Sequence, residues 1–271
     1  MILVTVTCKR DLNQMLLQAE SIERFVKNAT HYVIVNDRYV NESFWYDTLS
    51  PYYHNNNLKF VFPKWRDLKH SGWHKQIVYK LKIAELLSDD YIILDSKNFF
   101  IRETDLNSFR DIIGSGKIEN NTYRKEYDIC NKYIAKCLGV EPLTHFLSSE
   151  TPFVVKHELV KNNAYREWFN HRNFSECVYY SYLAQSILPA QNQEIKHHTL
   201  WDNVTELSQY NQLNIFGVHM HVLEKCTDNE ISTLNKWIRS RGLMTKLYRR
   251  TIIDRMKYQI ELIINFLFPK Y

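Results

Sequence analysis

Tyr91-Ile92-Ile93-Leu94-Asp95-Ser96-Lys97-Asn98-Phe99-Phe100-Ile101-Arg102 is the stretch on which the fold turns. An unbroken apolar run over Tyr91–Leu94 stops at an aspartate, which is how a strand buried on both faces reads where its end meets solvent. Upstream, Gly72–Leu87 places Trp73, Ile77, Leu81, Ala84 and Leu87 at helical spacing. Further back come a β-branched run at Ile2–Val6, an amphipathic helix over Asp11–Val26, and a strand at His31–Val35 ending in Asn36-Asp37-Arg38. A short strand at Lys59–Phe62 is stopped by Pro63. Strand and helix thus alternate through the first part of the chain. That order predicts an α/β fold with an open, mainly parallel sheet covered by helices on both faces. Ligands of such sheets sit outside the carboxyl ends of the strands, here Thr5–Asp11, Asn36–Arg38 and Asp95–Asn98.

The second half is less regular. It predicts helices over Tyr123–Leu138, His157–Phe169, Ser175–Leu188 and Asp228–Arg241, the last closed by Gly242. Strands are expected at Pro152–Val155 and Asn214–Val218, the latter leading into His219-Met220-His221. A long basic-then-apolar helix is expected from Leu243 to Phe268. Residues 1–242 therefore read as one domain and 243–271 as an amphipathic helical tail.

A net charge of +5 suits an anionic ligand but is too small and too dispersed for a nucleic-acid partner. The cysteines are odd in number, five, and form no CxxC pair, so they read as free thiols in a reducing, cytoplasmic compartment. The first residues lack a basic n-region and a cleavage site, and read as a first strand. No run of about 20 apolar residues suggests a membrane span. The absence of GxGxxG, P-loop and G-x-S-x-G motifs argues against a dinucleotide enzyme, a kinase and an α/β-hydrolase.

Gly72-Trp73-His74-Lys75-Gln76-Ile77-Val78-Tyr79-Lys80 followed by the stretch ending in Asp95-Ser96-Lys97 resembles a bacterial and viral family of GT-A-type glycosyltransferases. That family carries G-W-x-x-Q-Q-x-x-K on a helix and L-D-A-D-x-x-F-L-R at a strand end. Thr151-Pro152-Phe153-Val154-Val155 and Phe174-Ser175-Glu176 with Tyr179 and Tyr182 extend the likeness, which spans roughly residues 1–225. The resemblance implies transfer of a sugar from a nucleotide-sugar, UDP- or GDP-linked, to a glycan, lipid-linked or small-molecule acceptor. It implies a location in the bacterial cytoplasm or the cytoplasm of a virus-infected host. A non-catalytic sugar-nucleotide or glycan-binding module on the same fold is the alternative.

GT-A enzymes usually neutralise the departing diphosphate with Mn²⁺ or Mg²⁺ held by a D-x-D pair. Here Asp95-Ser96-Lys97 replaces it, and an ammonium cannot ligate a metal. Lys97 is therefore expected to take over part of the cation's role, with Asp95 on ribose, sugar hydroxyls or a weakly held ion. The resemblance points Gln76 and Lys80 toward the donor; Lys80 reads equally well as a solvated helix residue. Thr5, Thr7, Lys9, Asp11 and Asp37 fall where GT-A folds hold base and ribose, although Asp11 also reads as a helix cap and Asp37 as a turn residue. Glu176 is the candidate catalytic base, against simple pairing with a helix dipole. His219 and His221 alternate as if on a strand, and His219 is the candidate for metal or diphosphate, against a structural histidine. The tail, from Arg249-Arg250 through Ile253, Met256, Ile260 and Ile264, fits docking or oligomerisation, or else an anionic membrane surface.

Overall fold

The computed structural model describes residues 2–37, 41–63, 72–105, 125–144, 151–162, 167–185, 197–202, 204, 206–251, 253–254, 256–257, 259–260 and 264. Its strands are β1 Ile2–Thr7, β2 Thr30–Val35, β3 Asn57–Val61, β4 Tyr91–Asp95, β5 Asn98–Phe100, β6 Phe153–Val155, β7 His197–Leu200 and β8 Ile215–Val218. Its helices are α1 Leu12–Phe25, α2 Glu42–Leu49, α3 Gly72–Lys82, α4 Lys125–Leu138, α5 His157–Lys161, α6 Glu176–Gln185, α7 Met220–Lys225 and α8 Asp228–Ser240.

The main sheet runs β3-β2-β1-β4-β6, parallel except for β6, which pairs antiparallel with β4. The register sets Val6 beside Asp95 and Thr7 beside Val35, so the carboxyl ends of β1, β2 and β4 lie level. A second sheet, β5-β8-β7, branches off where Ser96 and Lys97 turn the chain out of β4. This is the open, mainly parallel α/β sheet expected from the alternation of elements, and it fits the GT-A type that the resemblance implied.

Helix α1 lies between the two sheets and is buried almost all round. Met15 and Ala19 pack with Val33 and Trp45, Ile22 packs with Leu3 and Phe100, and Leu17 joins Phe216 and Trp237. Its polar residues Gln14, Gln18 and Ser21 are buried as well, and each is committed to neighbouring backbone. Helix α3 buries Ile77, Val78 and Leu81 on the main sheet, a face worth roughly 1.5–3 kcal/mol for each such side chain.

Several expectations shift. The helix foreseen over His157–Phe169 breaks into α5 and a 3₁₀ turn at Glu167–Asn170, with 163–166 outside the described residues. Residues 123–124 and 186–188 of two expected helices also lie outside them. The helix expected from Leu243 does not start there. Residues 243–250 run irregularly across the body, with Leu243 and Leu247 buried. Glu20 accepts the Met244 and Thr245 N–H groups, and Asn13 and Asn235 bind the backbone further along. Helical backbone resumes at Ile253, and Ile253, Met256, Ile260 and Ile264 are exposed. Among the described residues no helix is long and apolar enough to cross a membrane.

Gly217 in β8 marks the tightest joint between the layers. A Cβ there would stand 2.8 Å from Thr199 Oγ1 and 3.0 Å from Asn98 Nδ2. Neither can move freely, because Thr199 is short and buried and Asn98 Oδ1 accepts the Asp95 N–H at 2.8 Å. Gly217→Ala is expected to cost about 1–3 kcal/mol of stability through overpacking, measurable as a lower urea midpoint at unchanged m-value.

Candidate functional site

The tip of β4 gathers a chain of alternating charges. Lys80, on the last turn of α3, sets its Nζ 2.8 Å from Asp95 Oδ1 and 2.9 Å from Glu176 Oε1 in the first turn of α6. Lys97 Nζ lies 2.9 Å from Asp95 Oδ2, and the Thr151 hydroxyl donates to the same oxygen at 2.8 Å. The order is Glu176, Lys80, Asp95, Lys97. Side-chain exposure rises from 7% at Lys80 and 11% at Glu176 to 15% at Lys97 and 20% at Asp95, so the Lys97 end faces outward.

Burial alone would favour neutral forms. For Asp95 it raises the pKa, but the two ammonium groups overcome that and hold the carboxyl well below the usual range. For Lys80 burial works downward, and Asp95 and Glu176 together carry its pKa above the ordinary lysine value. The charges of Asp95 and Lys80 therefore persist through physiological pH.

Beyond Lys97 stands an aromatic pair. The Lys97 ammonium lies 4.9 Å from the Trp201 ring centre, and Trp201 stacks on His219 at 4.1 Å. His219 is not on a strand. It caps α7, its Nδ1 accepting the His221 N–H, and His221 belongs to that helix, so the expected alternation of the two rings is corrected. Burial first, then the charges of Lys97 and His221, push the His219 imidazole down to about 4, which leaves it neutral at physiological pH.

Turn residue Ser96 is buried between Asp95 and Lys97. Gln76 reaches the sheet edge, its amide donating to the Val6 carbonyl at 3.2 Å. Thr7 is buried at the end of β1, where its carbonyl accepts the Asn36 N–H.

The other residues expected at the donor make contacts within the protein. Thr5 is fully buried in a relay. Tyr53 donates to His31 Nδ1, His31 Nε2–H donates to Thr5 Oγ1, and Thr5 donates to Gln18 Oε1. The Gln18 amide then holds the Asp95 and Asn98 carbonyls at 2.7 and 2.6 Å. No ligand can reach Thr5 there. Asp11 occupies the cap position of α1 without a side-chain cap bond; its carboxylate faces Arg10 at 3.3 Å and Arg250 at 3.9 Å. Asp37 accepts the Lys9 N–H with both oxygens, at 3.0 and 3.1 Å, and so staples β2 to β1. The Lys9 ammonium lies 5.2 Å from the Phe44 ring centre.

The sequence reading gave no role to Thr151 or Asn98, although it quoted both, and did not single out Gln18 or Trp201. Asn98 carried the one available signal, an Asx residue three positions after the strand-end aspartate.

These residues do not suit the divalent cation usual in GT-A enzymes. Such an ion needs several oxygen ligands, and Asp95 has both oxygens committed. Each ammonium on Asp95 would repel it, by about 4 kcal/mol per pair of unit charges 4 Å apart at an effective dielectric near 20. Among the described residues no three His, Cys, Asp or Glu side chains are grouped to hold a metal ion.

The family described as "Family of unknown function (DUF6492)" matches residues 3–225. No curated protein matches. Among solved structures, the galactosyltransferase LgtC in complex with donor and acceptor sugar analogues superposes with a TM-score of 0.52 at 11% identity, covering 91% of this chain and 97% of that one. Mouse xyloside xylosyltransferase 1, in its apo form, gives 0.47 at 9% identity over 81% of this chain and 98% of that one.

Two outcomes follow from the ion chain and the Asp37 staple. Lys80→Met leaves Glu176 without its buried counter-ion and should cost about 3–5 kcal/mol, clearly more than Lys97→Met at the exposed end, by urea denaturation. Burial pushes Asp37 from 3.8 up to about 6, against the Lys9 N–H bonds. The folded state thus keeps this proton longer than the unfolded chain, and ionising Asp37 removes stability as pH rises from about 4 to about 6. The stability of wild type minus that of Asp37→Asn should decline across that window and stay level above it.

Proposed function

The chain belongs to the DUF6492 family, and we propose that it is a nucleotide-sugar-dependent glycosyltransferase acting at the tip of β4. The observation carrying this reading is the pair of lysines gathered on Asp95 at the carboxyl edge of a parallel sheet. A nucleoside diphosphate leaves with growing negative charge, and fixed positive charge beside it lowers the barrier. The likeness of fold to LgtC, whose structure holds donor and acceptor sugar analogues, supports the same reading. The donor is a UDP- or GDP-sugar, and the acceptor a glycan, a lipid-linked sugar or a small molecule.

In this reading Lys97 meets the diphosphate, while Lys80 holds Asp95 in place from the buried side. Gln76, Ser96 and Thr7 line the approach along the strand ends, and His219, neutral, supplies an imidazole and, with Trp201, a flat apolar wall. Glu176 acts on the acceptor hydroxyl from the first turn of α6. It touches Lys80, so the lysine fixes where that carboxylate stands.

The saturation of Asp95 by its own lysines favours a second reading, a module that binds sugar nucleotides without turnover. Release of nucleoside diphosphate from a panel of UDP-, GDP-, CMP- and dTDP-sugars separates the two, and binding without release selects the module. In the enzyme reading, Glu176→Gln should lower turnover by about 100-fold or more while leaving donor affinity nearly unchanged. Near-normal turnover would remove Glu176 from the chemistry.

A further inference from the structure

The charge pattern at the β4 tip says how a diphosphate would be received there. A D-x-D pair with one divalent cation sums to zero. Asp95 with Lys97 also sums to zero, with no cation at all. Adding a metal ion would overcharge a place already holding two ammonium groups within 3 Å of one carboxylate. Of those groups, Lys80 is locked between Asp95 and Glu176, and the chain that carries it ends in the buried first turn of α6. Lys97 has one carboxylate partner and is the more exposed of the two. Its backbone is fixed, because the Lys97 carbonyl accepts the Val218 N–H and Asp95, two residues before it, is held through Gln18 and Asn98. The side chain can therefore exchange partners without moving the turn.

We infer that Lys97 is an exchangeable internal counter-ion. It rests on Asp95 in the free protein and swings to the diphosphate when donor binds, so that nucleotide binding needs no divalent cation. This rests on the glycosyltransferase reading and adds to it the electrostatic partner of the donor. Asp95 keeps an ammonium and a hydroxyl donor in the swap, because Lys80, which it shares with Glu176, and Thr151 stay on it. Its role is to store Lys97 and not to bind a metal. The Trp201 ring, 4.9 Å from the resting ammonium, holds its charge there by cation–π attraction.

The test is calorimetric titration of the full chain with UDP and with GDP, in excess EDTA and again with Mn²⁺. One nucleotide is expected to bind with affinities that agree within about threefold between the two conditions. Lys97→Met should weaken it by about tenfold or more in both, and Lys97→Arg should restore it, since charge and not shape is required. Lys97→Asp recreates D-x-D. It should bind nucleotide poorly in EDTA and recover by about tenfold or more with Mn²⁺. Thermal unfolding of each variant checks that the fold persists. Wild-type binding that appears only with Mn²⁺ overturns the inference and leaves the transferase reading standing. Equal binding by wild type and Lys97→Met also overturns it. Failure of both nucleotides under both conditions overturns the inference and the transferase reading together.

Discussion

A carboxylate held between two ammonium groups is the constraint around which the rest of the molecule is arranged. Taking Asp95, Lys80 and Glu176 out of water is costly, and the cost is met only when each charge finds its opposite at close range. This fixes the relative positions of three elements far apart in sequence: the end of α3, the tip of β4 and the start of α6. The apolar contacts of Ile77, Val78, Val178 and Tyr179 bring those elements together without direction. The ion chain supplies the direction, because like charges cannot be made neighbours by any slip of one helix turn.

A second polar system supports the same strand tip from below. The relay from Tyr53 through His31 and Thr5 to Gln18 crosses β2 and β1 and ends on two carbonyls of the β4–β5 turn. Its direction is set by Gln18, whose amide is spent on those carbonyls, so that its oxygen must accept from Thr5. His31 then donates through Nε2 and accepts at Nδ1. Burial pushes its pKa down to about 3, so the ring remains neutral and the relay keeps one sense. The strand tip is thus braced by His31, Thr5 and Gln18, which no solvent reaches.

The main sheet was legible because β1, β2 and β4 are short apolar runs that end in polar residues, and because α1 and α3 repeat at helical spacing. The second sheet was not. His197–Leu200 carries two histidines and has no strand pattern of its own; it is ordered by pairing with β8. Asn98–Phe100 is too short to distinguish from the end of β4. Helix α2 was hidden in an aromatic, polar stretch and shows itself through the Asn41 cap. At the site, Asp95, Lys97, Lys80 and Glu176 were all named from the sequence, but their mutual pairing was not, since it depends on how α3 and α6 cross the sheet. Thr5 misled because a strand residue facing a helix and one facing a ligand look alike until the helix is seen to carry Gln18. His219 and His221 misled because a helix starts at Met220, just past the strand end at Val218, and takes both rings off the strand's alternation.

The close joint at Gly217 has an evolutionary corollary. Thr199 Oγ1 and Asn98 Nδ2 crowd the same point from two strands, and Asn98 also holds the backbone of Asp95. Drift at 217 is therefore not independent of drift at 199. A descendant that acquires a methyl group at the first position can keep its strand tip undisturbed only by trimming the second to alanine or glycine. The two sites should change hands together across the lineage, as a coupled pair, while 98 stays asparagine.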